Sequence, residues 1–155
     1  MKRYYLFFLL FSTGILSVFT IIIPSYTVVM QQHRKSDSSY INGYNQYNNK
    51  CAYCHQKDGS GVNDVYPPLY NSDYLLKDKK HIAEVLILGL MDTIIVNGKT
   101  YSGIMHPVLG TDQEIADIFN YMYQEFGNNA QSISSLEISK IRKKGKEAKR
   151  LEIYK

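Results

Sequence analysis

Cys51-Ala52-Tyr53-Cys54-His55 is the stretch on which the reading of this chain turns. Two thiols one helical turn apart lie on the same side of a short turn, where each can add to one vinyl group of a porphyrin. The imidazole of the next residue then swings under the iron, so CxxCH is the attachment signature of a c-type haem. A bare CxxC would also serve a disulfide oxidoreductase or half of a zinc site. A zinc site wants a second Cys/His pair at ligand spacing, and Cys51 and Cys54 are the only cysteines in the 155 residues. A thioredoxin-like redox pair wants a preceding strand within a βαβ pattern, and neither surrounds this motif. The expected cofactor is one covalently bound haem c, attached through Cys51 and Cys54, with His55 on the iron.

Outward from the motif, Tyr40, Tyr44, Tyr47 and Cys51 recur at helical spacing, so a helix with a core-packing aromatic stripe delivers the chain to the cysteines. Gln56 to Tyr66, with Gly59, Gly61 and Asn63, has loop chemistry. Ser72 to Lys77 reads as a short helix. Asp78 caps another running through Leu90, with Ile82, Val85, Leu86 and Gly89 on one face and His81 on the solvent side. Thr93 to Val96, Asn97-Gly98 and Lys99 to Tyr101 predict a hairpin with a type I′ turn. Thr111-Asp112-Gln113-Glu114 is a capping box. It opens a helix whose apolar face carries Ile115, Ile118, Phe119, Met122 and Phe126, with Gly127 as the stop.

Together, Gly43-x3-Tyr47-x3-Cys51-x2-Cys54-His55, then Pro67-Pro68-Leu69, then Asn97-Gly98-Lys99-x-Tyr101-x-Gly103-x-Met105 and the capped helix resemble the small bacterial class I cytochrome c domains. The likeness is greatest to those accompanying alcohol dehydrogenases, nitrite reductases and terminal oxidases, and it runs from about Ser39 to Lys143. It implies an all-α class I cytochrome c fold around one haem, with a small β-hairpin. It implies that the Pro67 carbonyl accepts the second ring N–H of His55, which fixes the tautomer and raises ligand basicity. Loop rigidity alone is the other use of such a proline pair. The resemblance further packs Leu69 and Tyr101 on the haem and Tyr121 on Gly43, and it makes Met105 the sixth ligand of the iron. Met91 competes for that place. So does His106, which stands where the family usually has the proline after its methionine. Neighbours in an extended segment face opposite ways, so Met105 and His106 cannot both face the iron. Residues 128–143 resemble an extension of the same group, an Asn-rich turn leading to a helix capped by Ser134 and Glu137 and ending in Arg142.

The chain ends differ from this domain. From Ile141 onward seven Lys/Arg stand against two Glu, whereas Ser36 to Lys140 carries seven Lys against twelve Asp/Glu. An acidic domain with basic flanks does not suggest a nucleic-acid binder, and points instead to an anionic membrane or an acidic partner. Lys2 and Arg3 precede an apolar run from Tyr4 to Ile23, about the twenty residues that cross a bilayer. The run is longer than the apolar region of a secretory signal, and Pro24 to Met30 offers no convincing A-x-A cleavage site, so an uncleaved anchor is expected ahead of a signal peptide. The organisation read from the sequence is a signal-anchor over 1–30, a linker over 31–38, a cytochrome c domain over 39–143 and a basic tail over 144–155, disordered or a continued helix. Since the family attaches haem outside the cytoplasmic membrane, a single pass through the cytoplasmic (inner) membrane with the domain facing the periplasm is expected.

The function these observations favour is single-electron transfer between a redox protein donor and acceptor, without substrate chemistry. A permanent haem c subunit of a membrane-associated oxidoreductase is the second reading, and a haem-based gas sensor the third.

Overall fold

The computed structural model describes residues 38–127 and 132–153. The expected anchor, the linker through residue 37 and most of the Asn-rich turn lie outside the described residues. Among the described residues no helix is long and apolar enough to cross a membrane. The elements in order are α1 (Ser38–Lys50), α2 (Ala52–His55), a 3₁₀ turn (Tyr74–Leu76), α3 (Lys79–Leu88), β1 (Ile94–Val96), β2 (Lys99–Tyr101), α4 (Asp112–Glu125) and α5 (Ser135–Ile153).

Helix α4 organises the packing because its signals are local and strong. Thr111 accepts from the Glu114 amide while Glu114 accepts from the Thr111 amide, which satisfies donors the first helical turn leaves open. Ile115, Ile118, Phe119, Met122 and Phe126 are all buried, as their spacing predicts. Helix α1 crosses α4 where Gly43 meets Tyr121. A Cβ at Gly43 would lie 2.3 Å from the Asp117 carbonyl oxygen and 2.6 Å from Tyr121 Cβ. Tyr47 is fully buried and tilted on Tyr121 and Phe126, whereas Tyr44 keeps 49 % of its surface and offers Tyr121 only an edge. Ser39 Oγ and Gln113 Nε2 both donate to the buried Asp117 Oδ1, a polar clamp across the same crossing. Since the Gly43 clash would be with backbone, Gly43→Ala is expected to destabilise the domain by about 2–3 kcal/mol. Thermal unfolding of the haem-loaded protein measures it, and an unchanged midpoint would contradict this account of the crossing.

The hairpin pairs Ile94 with Tyr101 and Val96 with Lys99, and its turn has positive φ at both Asn97 and Gly98, as a type I′ turn requires. Asn97 and Asp73 exchange backbone-to-side-chain hydrogen bonds, which tie the turn to the loop before the 3₁₀ turn. Helix α3 is capped by Asp78 but ends at Leu88, two residues earlier than its sequence suggests. Gly89 turns the chain out at φ 81°, which frees Leu90 to pair with Met105. His81 does not face solvent as expected: it is half-buried, and its Nε2 shares a 2.8 Å hydrogen bond with the Tyr74 hydroxyl. Helix α5, capped by Ser134 and Glu137, packs on α3 and α4 through Ile138 and Ile141 and continues past residue 143 to Ile153.

Candidate functional site

The CxxCH turn is built from the end of α1. Cys51 N–H donates to the Tyr47 carbonyl at 2.8 Å, and the amides of Cys54 and His55 both donate back to Cys51 O, which coils the motif into α2. Gln56, at φ 61°, stops the coil, and the Tyr47 hydroxyl holds its carbonyl at 2.6 Å. The chain then loops around His55. Gly61 N–H donates to His55 O at 3.0 Å, and Val62 and Tyr66 close the loop as an isolated antiparallel bridge. At Gly61 φ is +68°, and a Cβ would sit 2.4 Å from Tyr66 O and 2.7 Å from Pro67 O, so only glycine lets this loop press against the Pro67 carbonyl.

That carbonyl lies 3.0 Å from His55 Nδ1. A carbonyl only accepts, so Nδ1 carries the proton and Nε2 is left as the lone-pair nitrogen. Burial pulls His55 below the ordinary imidazole value, against a smaller opposing pull from Pro67, and so favours the neutral ring. Burial likewise pushes the Cys51 thiol up to about 12, so in the closed fold it is a thiol rather than a thiolate. Neither cysteine is in a disulfide.

Cys51, Cys54 and His55 lie on the wall of a cavity of about 470 Å³, and Pro67, Leu69, Tyr101 and Met105 line the same space. Protein interiors rarely leave a gap larger than one water, which occupies about 30 Å³, so this space is shaped for a large group. The lining is overwhelmingly apolar: α3 supplies Ile82, Val85 and Leu86, and the hairpin supplies Ile94, Val96 and Tyr101. Two thiols, one imidazole with a free lone pair and one thioether in an apolar cradle fit a covalently bound haem. Among the described residues no group of three or more His, Cys, Asp or Glu side chains is placed to hold a bare metal ion.

The methionines separate by position. Met105 is half-buried against the core and on the cavity wall, while Met91 is 81 % exposed and absent from it. Met122 reaches the wall from α4 but is packed at 3 % exposure. His106 borders the cavity yet is exposed. Sequence reasoning did not find Tyr74, Ser72 or the α3 side chains as lining residues. The apolar stripe of α3 was visible, but nothing in it distinguished contact with protein from contact with a cofactor.

The family model described as Cytochrome c matches residues 40–125. The cytochrome c subunit of a quinone alcohol dehydrogenase from Gluconobacter oxydans is 33 % identical over 108 residues, 66 % of this chain and 22 % of that subunit. Cytochrome c-552 of Thermus thermophilus is 30 % identical over 105 residues, 61 % of this chain and 80 % of the relative. The fructose dehydrogenase cytochrome subunit of Gluconobacter japonicus is 28 % identical over 133 residues, 79 % of this chain and 27 % of that subunit. The aligned stretch thus spans only about a quarter of either dehydrogenase subunit.

Proposed function

Because this chain belongs to the cytochrome c family, we propose that it is a membrane-tethered carrier of single electrons, in which Cys51 and Cys54 would hold one haem c covalently and His55 and Met105 would bind its iron. The observation that carries the assignment is the convergence of those four side chains on one apolar cavity. Bound there, haem supplies the Fe(II)/Fe(III) couple. The chain's own residues do the rest. Pro67 O holds the His55 tautomer and orientation through Nδ1, so Nε2 is presented as a more basic ligand. The thioether of Met105 is a weaker, softer donor than a second imidazole and favours the reduced state. Apolar walls from α3 and the hairpin exclude water, which also disfavours the more highly charged oxidised state. No side chain has to move a proton or act as a nucleophile.

The apolar run from Tyr4 to Ile23 supports retention at the cytoplasmic membrane, with the haem domain outside. Sequencing the amino terminus of the mature protein tests this: it is expected to begin before Tyr4, and a terminus after Pro24 would rule the tether out. The likeness to dehydrogenase cytochrome subunits supports a second reading, a permanent subunit of a membrane-associated oxidoreductase. Detergent-solubilised native protein that copurifies with a dehydrogenase in fixed ratio favours the subunit; migration as a monomer favours the free carrier.

A further inference from the structure

The segment that carries Met105 is fastened at its far end by two cations from distant parts of the chain. Lys50 Nζ donates to Leu109 O at 2.8 Å, and Arg142 Nη2 donates to the next carbonyl, Gly110 O, at 3.1 Å. Arg142 Nε also donates to Asp112 Oδ1 at 2.7 Å, so one guanidinium spans the point where the loop becomes α4. At its near end the segment is held by backbone. Met105 exchanges both amide hydrogen bonds with Leu90, and Val108 N–H donates to Leu86 O, each at 2.8 Å. Of the side chains from Ile104 to Leu109 only Val108 is buried in the polypeptide, so apolar packing within the protein does little to hold the far end. The helix bearing Arg142 has its own ties to α3, through Lys79 to Glu137 at 2.9 Å and through Leu88 lying against Gly145.

We propose that Arg142 is a positioning residue for the sixth ligand: by joining Gly110 to Asp112 it keeps the Met105–Gly110 segment against the cavity and sets how readily a foreign ligand displaces the thioether. The inference rests on Met105 being that ligand. Arginine suits the task because its planar fork reaches a carbonyl and a carboxylate together, whereas lysine offers a single point of charge. Helix α5, outside the residues matched by the family model, thereby gains a role at the iron.

Imidazole titration of the oxidised, haem-loaded full-length protein, read with the weak long-wavelength band of methionine-ligated ferric haem, tests the idea. Arg142→Gln is expected to retain the band without imidazole and to raise imidazole affinity roughly three- to tenfold, the size of a charge-assisted hydrogen bond discounted for partial exposure. Arg142→Lys, which keeps charge and loses the fork, is expected to raise it about twofold or more, and it carries the test if the Gln variant does not mature. Lys79→Ala severs the ion pair that ties α5 to α3 and is expected to leave the affinity at the wild-type value. Wild-type affinity in the Arg142 variants, or an equal rise in Lys79→Ala, would overturn the proposal while leaving the ligand assignment intact. Absence of the band from the wild-type protein removes the Met105 assignment and the proposal with it.

Discussion

A chain carrying both Cys51→Ala and Cys54→Ala is expected to lose its haem to acid acetone and, once stripped of it, to show no cooperative thermal unfolding. The wild-type protein is expected to keep its haem through denaturation and the same extraction. The second half of this result follows from volume. The cavity of about 470 Å³ is walled almost wholly by apolar side chains, and with nothing in it those walls lose a packing partner and meet water, at roughly 25 cal/mol per Å² of apolar surface. An ordinary domain is stable by only about 5–15 kcal/mol, so a loss of this kind weighs heavily. Partial collapse of the walls would recover some of it, at the expense of the packing of α3 on the hairpin. Single replacements leave one thioether and are expected to weaken attachment or maturation; His55→Ala should do more damage, because it removes the ligand that Gly61 and Pro67 are arranged to hold. Haem that extracts freely from the wild-type protein would defeat the attachment claim, and a haem-free variant with a sharp unfolding transition would defeat the volume argument.

The second large effect is expected at Met105. Met105→Ala should abolish the long-wavelength band of the oxidised protein, admit carbon monoxide to the reduced protein and lower the reduction potential by on the order of 0.1–0.3 V, within the range of about 0.8 V that axial ligands span. Met91→Ala should leave all three unchanged, since Met91 is solvent-exposed and does not line the cavity. His106→Ala is the partner experiment. If it, rather than Met105→Ala, removes the native sixth ligand, the protein is a bis-histidine cytochrome poised at lower potential. Ready binding of carbon monoxide by the unaltered protein would instead favour the sensor reading.

What was legible in the sequence was what short-range chemistry determines. The two capping boxes, the Asn97-Gly98 turn and the apolar face of α4 each have their cause within a few residues, and each lies where its spacing placed it. Pro67 stands 3.0 Å from His55, and Leu69, Tyr101 and Met105 share the cavity with the motif, an arrangement that the resemblance implied and that residue types alone did not. The misplacements had tertiary causes. His81 was assigned to solvent from its place on the helix, but Tyr74, seven residues earlier, turns in to meet it. Helix α3 read two residues too long because the partner that draws Leu90 away, Met105, is fifteen residues further on. The burial of Asp117 and the grip of Arg142 on Gly110 depend on pairings across 78 and 32 positions, and no local pattern announces them.

The crossing of α1 and α4 also sets an order of events in the making of this protein. Helix α1 ends at the cysteine motif, yet the surface it docks on begins about seventy residues downstream of Gly43, so the chain emerges with its thiols well before the helix that α1 packs on. Once docked, Cys51 is 8 % exposed and its thiol is held protonated, a poor condition for attack on a vinyl group. Attachment is therefore expected before the two helices close. Closure without haem would leave the apolar cavity walls facing water, so a chain that missed its haem is expected to open more readily and to be cut faster by proteases.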